Sequence, residues 1–332
     1  MMKDSFGTIY RLTDWGDTHG EAMEGLIEGC PAGLCVDMDF VASELMRRSP
    51  GCGTLSTTRL EPDHVEFLSG IDHGETTGAP IRFRIPNKDV KIQESNRYVI
   101  KPSHASYTYM RKYGVRDNEQ CGRASARQTV CRVVAGAIAK LWLSERGVSV
   151  SAKTLSIAIP KRGGDSVGAL VEGRILGLPS GLGEPVYDKF PARLAYAMMS
   201  INAAKGFDYG EGFRAAEMSG SEYHDVQNPD FSFRTNHDGG AQAGITNGEE
   251  VWFRVAFKPI PSVHYDRETV DFDGNRVVMK GSDRNDLCVV PRVLPVVEAM
   301  AAMVVMDFWL QSAGRYSQGH PAVFNRQNTI SR

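Results

Sequence analysis

Two periodicities divide the chain. Apolar residues recur at helical spacing in "DFVASELMRRS" (39–49), "ARQTVCRVVAGAIAKLWLSERG" (126–147), "PARLAYAMMSINAAKG" (191–206) and "VVPRVLPVVEAMAAMVVMDFWLQSAG" (289–314), and each is expected to be a helix. The second and the last are apolar on most faces, which implies burial. Gly147 is placed to end the second, and Pro295 breaks the last near its start. Period-two alternation in "HVEFLSG" (64–70), "APIRFRI" (79–85), "VSVSAKTLSIAI" (148–159) and "EEVWFRVAF" (249–257) predicts strands. Strands and helices follow one another without the strict rhythm of a doubly wound sheet, so the expected class is α+β. No internal repeat, low-complexity segment or Pro/Ser linker cuts the sequence, and residues 1–332 are expected to form a single domain.

Composition narrows the function. With 332 residues and 42% hydrophobic content there is enough apolar side chain for a substantial core. A net charge of -2 argues against a nucleic-acid binder, whose affinity would need a broad basic surface, so any anion binding has to be local. No apolar run approaches the roughly 18 residues of a membrane span, and "MMKDSFGTIYRLTDWGDTHG" lacks the apolar core of a signal peptide. A cytoplasmic protein without a membrane partner is the expectation. Six cysteines, at 30, 35, 52, 121, 131 and 288, form no CxxC pair and no metal-ligand spacing; they read as reduced thiols, with no metal site.

Chemistry concentrates in glycine-rich polar turns. In "KPSHASYTYMRKYGVRD" (101–117), His104 stands between small residues on a proline-anchored turn with tyrosines and cations close behind, a setting suited to an anionic ligand. His19 in "GDTHG" is either a solvated turn histidine or a proton carrier, since an imidazole titrates near ~6.5. In "RRSPGCGTLSTTRLEPD", Arg47, Arg48 and Arg59 with five hydroxyl side chains suit an oxyanion, although cations at a helix C-terminus would also complement its dipole. "CGRASARQTV" opens a helix with Arg123, Ser125, Arg127 and Thr129; capping by Ser125 explains one hydroxyl but not two arginines where positive charge is unfavourable. His237 and Asp238 lack a spaced third ligand for a metal, and Lys258 ahead of two prolines is a rigidly presented cation.

Six blocks in order, GDTHG, RRSPG…TTRLEPD, KPSHASYTYMRKYGVRDNEQCGRASARQTVCRVVAGAIAK, NHDGGAQAGITNG, KPIPS and DRNDLCVVPRVLPVVEAMAA, resemble chorismate synthase over most of the chain. The resemblance implies a β-α-β sandwich with helices between antiparallel sheets, assembled as a homotetramer. It implies a carbon–oxygen lyase of the shikimate pathway that eliminates phosphate and a ring proton from 5-enolpyruvylshikimate 3-phosphate, with FMN in its reduced form as cofactor and NADP as an associated nucleotide. His19, His104 and Asp286 then match catalytic positions, with the two histidines proposed to protonate the reduced flavin and the leaving phosphate respectively. Arg48, Arg123 and Arg284 match substrate-binding positions. Arg123, Ala124, Ser125, Asn202, Ala203, Ala243, Lys258, Pro259, Ile260, Pro261, Ser262 and Arg284 match cofactor contacts. A flavin reductase or other FMN oxidoreductase, and a non-catalytic FMN- or phosphate-binding relative, are the alternatives.

The chain departs from the family pattern at Ser49, Thr54, Lys101, the Glu119-Gln120-Cys121 turn, Asn285 and Leu287. Several of these changes remove positive charge near the expected anion site, and weaker affinity than is usual for the family is the expectation.

Overall fold

A computed structural model describes residues 4–49, 63–88, 94–282 and 286–313. The chain opens with an antiparallel meander, β1 (Ser5–Phe6), β2 (Arg11–Gly16) and β3 (Ala22–Glu28), and then enters helix α1 (Met38–Arg48). Asp37 caps α1 by accepting from the amides of Asp39 and Phe40. Strands β4 (Glu66–Phe67), β5 (Ile71–Asp72), β6 (Glu75–Thr76) and β7 (Ile81–Pro86) follow, and then the short helix α2 (Ser106–Tyr113). Next come α3 (Thr129–Ser144), β8 (Ser149–Ile157), β9 (Ala169–Leu176), α4 (Phe190–Met199), β10 (Ala204–Tyr209) and the single turn α5 (Gly220–Tyr223). The remainder is β11 (Ala241–Gln242), β12 (Ile245–Thr246), β13 (Val251–Phe257), the hairpin β14 (Arg267–Val270) and β15 (Arg276–Met279), and helix α6 (Leu294–Ala313).

Two antiparallel sheets form the outer layers. One has the order β1-β2-β3-β7-β4 and the other β10-β13-β9-β8. Between them lie α1, α3, α4 and α6: α3 packs on β2 and β3 on one side, while α4 and α6 reach β10, β8 and β9 on the other. The fold is therefore an α+β sandwich of sheet, helices and sheet, and one apolar cluster runs through all three layers. At the helix crossing, Gly136 of α3 meets Ala299 of α6 so closely that an added Cβ would lie 2.1 Å from the Ala299 Cβ. Glycine there is a packing requirement.

Several sequence expectations hold, with most boundaries moved by one to three residues. Gly147 takes the left-handed conformation (φ 75°) just past α3, and the Val148 amide returns to the Leu143 carbonyl to close the helix. Two expectations are corrected. The helix read over 191–206 stops at Met199; Ala203 turns left-handed (φ 68°) and Ala204 begins β10. Apolar periodicity continued through "INAA", but those residues line a turn between layers, where burial does not require a helix. Pro295 does not break α6 either. It sits in the first turn, where no amide is needed for an intrahelical bond, so the helix runs on from Leu294 for 20 residues. α6 has the length and hydropathy of a membrane span, yet it is buried among the other helices and a sheet.

Candidate active site

One cavity of about 460 Å³ opens where seven chain segments meet, the turn after β2 among them through Thr18. The C-terminus of α1 contributes Arg48, and the turn before α2 contributes His104 with Ser103 and Ala105. The entry to α3 adds Ala124, Ser125 and Arg127. The α4–β10 turn adds Asn202 and Ala203, the segment after β13 adds Lys258, Ile260, Pro261 and Ser262, and the approach to α6 adds Asp286 and Arg292. Residues chosen for their chemistry in motifs more than 200 positions apart thus share one wall. The volume lies within the range of small-molecule sites.

Three guanidiniums converge there. Arg48 is buried, and its Nη1 donates to Asp63 at 2.6 Å while Nε reaches the Thr129 hydroxyl at 3.1 Å. Burial, and then the neighbouring Arg292 and Arg127, lower its pKa to about 10 against the opposing pull of Asp63, so it remains cationic at neutral pH. Arg127 pairs with the same Asp63, whose side chain is wholly enclosed. Arg292 pairs with Asp286 and donates through Nε to the Arg48 carbonyl at 2.9 Å. Among the described residues, two carboxylates are paired with the three guanidiniums of this group. Lys258 adds a further cation and holds the His104 turn by donating to the Ser103 carbonyl at 2.6 Å; burial, then Lys205, lowers its pKa.

His104 is half-buried, and its enclosed Nδ1 has no hydrogen-bond partner among the described residues. Burial, followed by the nearby Lys101 and Lys258, lowers its pKa from 6.5 to about 4, so the imidazole is neutral at pH 7 in the free protein. The sign of the linkage follows. With a depressed folded value, this contribution to stability is fully present above about pH 6.5 and is lost as pH falls through about 4. The full shift corresponds to roughly 3 kcal/mol. Urea denaturation from pH 7 to pH 4 should show the wild type losing about that much more stability than His104→Gln; parallel curves would contradict the assignment.

The other expected residues lie as follows. Thr18 reaches the wall, whereas His19 is exposed next to it on the same turn. Arg123 does not line the cavity: its Nη2 donates to Asp4 (2.8 Å) and Asp14 (2.6 Å), and Nη1 reaches the Gly16 carbonyl at 3.3 Å. It thereby fixes the strand end that leads into the His19 turn. Pro259 is flanked by wall residues without lining the cavity, and Ala243 (φ 52°) lies in the turn between β11 and β12. Arg284, Thr54 and Asn285 fall outside the described residues. Ser49 is buried, with its hydroxyl donating to the Leu45 carbonyl at 3.0 Å. His237 and Asp238 sit away from the cavity, with His237 Nδ1 on Glu211 at 2.8 Å and Asp238 bound by the Tyr223 hydroxyl at 2.9 Å. Among the described residues no group of three or more metal-ligating side chains is arranged to hold an ion.

Arg292, Asp63 and Asn87 were not singled out by sequence reasoning. Arg292 stands in the quoted "DRNDLCVVPR" block and Asp63 in "TTRLEPD", so the signal for both was a charged residue inside a motif already chosen for its neighbours.

The family model described as chorismate synthase matches residues 10–161 and 156–310. Chorismate synthase of Phocaeicola vulgatus is 45% identical over 354 aligned positions, covering 93% of this chain and 98% of its own. Its counterpart in Bacteroides thetaiotaomicron is also 45% identical with the same coverage. A crystal structure of chorismate synthase superposes with a TM-score of 0.74 at 28% identity, covering 93% of this chain and 94% of the other.

Proposed function

The chain belongs to the chorismate synthase family, and on that premise we propose that the cavity is the active site in which phosphate leaves 5-enolpyruvylshikimate 3-phosphate with reduced FMN alongside. The chain is a carbon–oxygen lyase of the shikimate pathway, acting on a phosphorylated small molecule. The observation that carries the site assignment is the convergence of Arg48, Arg127, Arg292, Lys258 and His104 on one cavity. A substrate with two carboxylates and a phosphate requires such a set of fixed cations.

The wall also fits a flavin. Asn202 donates Nδ2 to the Ala124 carbonyl at 2.9 Å, while its buried Oδ1 has no partner among the described residues, leaving an acceptor for a ring N–H. Ala124, Ala203, Ile201 and Ile260 give an apolar surface for a flat ring, and Lys258 is a cation for a phosphate tail. The family is generally flavin-dependent. When bound, reduced FMN supplies transient electron donation to the substrate, which no side chain offers.

The chain's own residues perform the remainder. Arg48, Arg127 and Arg292 orient the anionic groups and hold a positive field where negative charge builds on the departing phosphate. His104 is neutral before substrate arrives; a phosphate placed against it favours the imidazolium, which then donates its proton to the leaving group. Asp286, held by Arg292, is the carboxylate proposed to accept a proton, and His19 on the adjoining turn is the second proton carrier. Family membership is the support for a homotetrameric, cytoplasmic enzyme associated with NADP.

Anaerobic incubation with photoreduced FMN and 5-enolpyruvylshikimate 3-phosphate should release one phosphate per chorismate with no net consumption of reductant. NAD(P)H oxidation without phosphate release would replace this reading with a flavin reductase. Tight binding without turnover would indicate a non-catalytic relative.

A further inference from the structure

The turn Asp17–Gly20 presents Thr18 to the cavity and His19 beside it, and one side chain at the adjoining end of the neighbouring strand β7 holds it. Asn87, directly after β7, donates through Nδ2 to the carbonyls of Asp17 (2.9 Å) and Gly20 (2.8 Å). Its backbone amide donates to the Glu21 carbonyl at 2.9 Å. Its Oδ1 accepts from Nε of Arg127 at 2.8 Å, and Arg127 is a cavity wall residue held on its other side by Asp63 and the Pro86 carbonyl. The amide orientation is fixed by chemistry, because backbone carbonyls only accept and a guanidinium only donates. On the opposite side the turn is pressed against Gly122, where an added Cβ would lie 1.9 Å from the Asp17 carboxylate. The turn is thus clamped between Gly122 and Asn87, and only the Asn87 side leads to a cavity cation.

We propose that Asn87 is a positioning residue that couples Arg127 to the Asp17–Gly20 turn, so that an anion drawing on Arg127 in the cavity also sets the turn that carries Thr18 and His19. The job needs a primary amide: two donors for two carbonyls and one acceptor for a guanidinium in a single short side chain. Aspartate has the same shape and keeps the acceptor but lacks both donors. This inference rests on the reading that the cavity holds the anionic substrate.

The test compares the wild type with Asn87→Asp by hydrogen exchange of the peptide spanning the turn, with and without inorganic phosphate as the probe, and by steady-state kinetics. In the wild type, phosphate should slow exchange of the turn amides several-fold. In Asn87→Asp the turn should exchange about tenfold faster and no longer respond to phosphate, while the α3 peptide is unchanged. Turnover should fall about 10- to 100-fold with substrate KM within about twofold, as expected when a catalytic element is displaced rather than removed. A turn as protected in the variant as in the wild type, or a uniform loss of protection including α3, would overturn the proposal. So would a wild-type turn indifferent to phosphate, and that measurement needs no variant to fold. A wild type that binds phosphate and shows the coupling but forms no chorismate would refute the functional reading and leave the coupling standing.

Discussion

Alanine at position 104 should lower kcat by about 10²-fold or more while FMN affinity is retained, because general acid catalysis is worth roughly 10² to 10⁴. The leaving phosphate needs a proton, and His104 is the one imidazole on the cavity wall among the described residues. Its depressed pKa leaves it without a proton to give in the free protein, and it becomes a proton donor only when an anion offsets Lys101 and Lys258, which ties proton delivery to the bound substrate. The pH profile of kcat should accordingly report a group well above the free-enzyme value of about 4. Stopped-flow measurement of chorismate formation with saturating FMN checks both points. Turnover in His104→Ala equal to wild type would remove this residue from the mechanism.

The second large effect concerns stability. Glu298 on α6 is buried and accepts from Arg47 through both terminal nitrogens (2.7 Å each), from Lys140 on α3, and from the Ala152 amide of β8 at 3.0 Å. Glu44 of α1 shares the same two cations. Burial alone would raise the Glu298 pKa, but Arg47 and Lys140 outweigh it and hold the carboxyl below its usual range. Glu298→Ala should cost about 3–5 kcal/mol, since it leaves a nearly enclosed lysine and an arginine competing for one carboxylate. Urea denaturation at pH 7 measures the loss. A smaller effect than about 1 kcal/mol would mean that solvent reaches Lys140 once Glu298 is gone. Because Arg47 precedes Arg48 at the end of α1, a folded variant should also show a raised substrate KM.

Periodicity located α1, α3, β8 and β13 within one to three residues at most ends, because α3 and β13 bury aliphatic side chains at regular spacing, α1 buries Val41 and Leu45 one turn apart, and β8 alternates half-buried with exposed positions over its first six residues. It missed β3 and β9 for a shared physical reason. Each carries an inward glycine, Gly25 and Gly173, directly opposite a phenylalanine of the neighbouring strand, Phe83 and Phe253. An added Cβ would come within 2.3 Å of one ring and 2.1 Å of the other. The ring supplies the bulk that the glycine lacks, so the apolar residue expected at that position sits on a different strand. α2 was missed because its sequence, SYTYMRKY, is polar on most faces and buries only Ser106.

The site divides in the same way. Motif chemistry picked out Arg48, His104, Ser125 and Lys258, the family resemblance added Asn202, and the fold brings them to one cavity. The groups that orient them were not legible, because pairings such as Asp63 with Arg127 or Asn87 with the Asp17 carbonyl join segments of unrelated periodicity and exist only once the layers have assembled.

α6 lies at the centre of the sandwich, touching α1, α3, α4, β8 and β9, and yet it is the last described element of the chain. At a ribosomal pace of 5–20 residues per second, it follows α3 by roughly 8 to 33 s. Until then the nascent polypeptide keeps the oily inner surfaces of its two sheets and of α3 without their central filler. Any message truncated upstream of Leu294 therefore yields an aggregation-prone fragment instead of a smaller enzyme, and chaperone demand should stay high until α6 has been made.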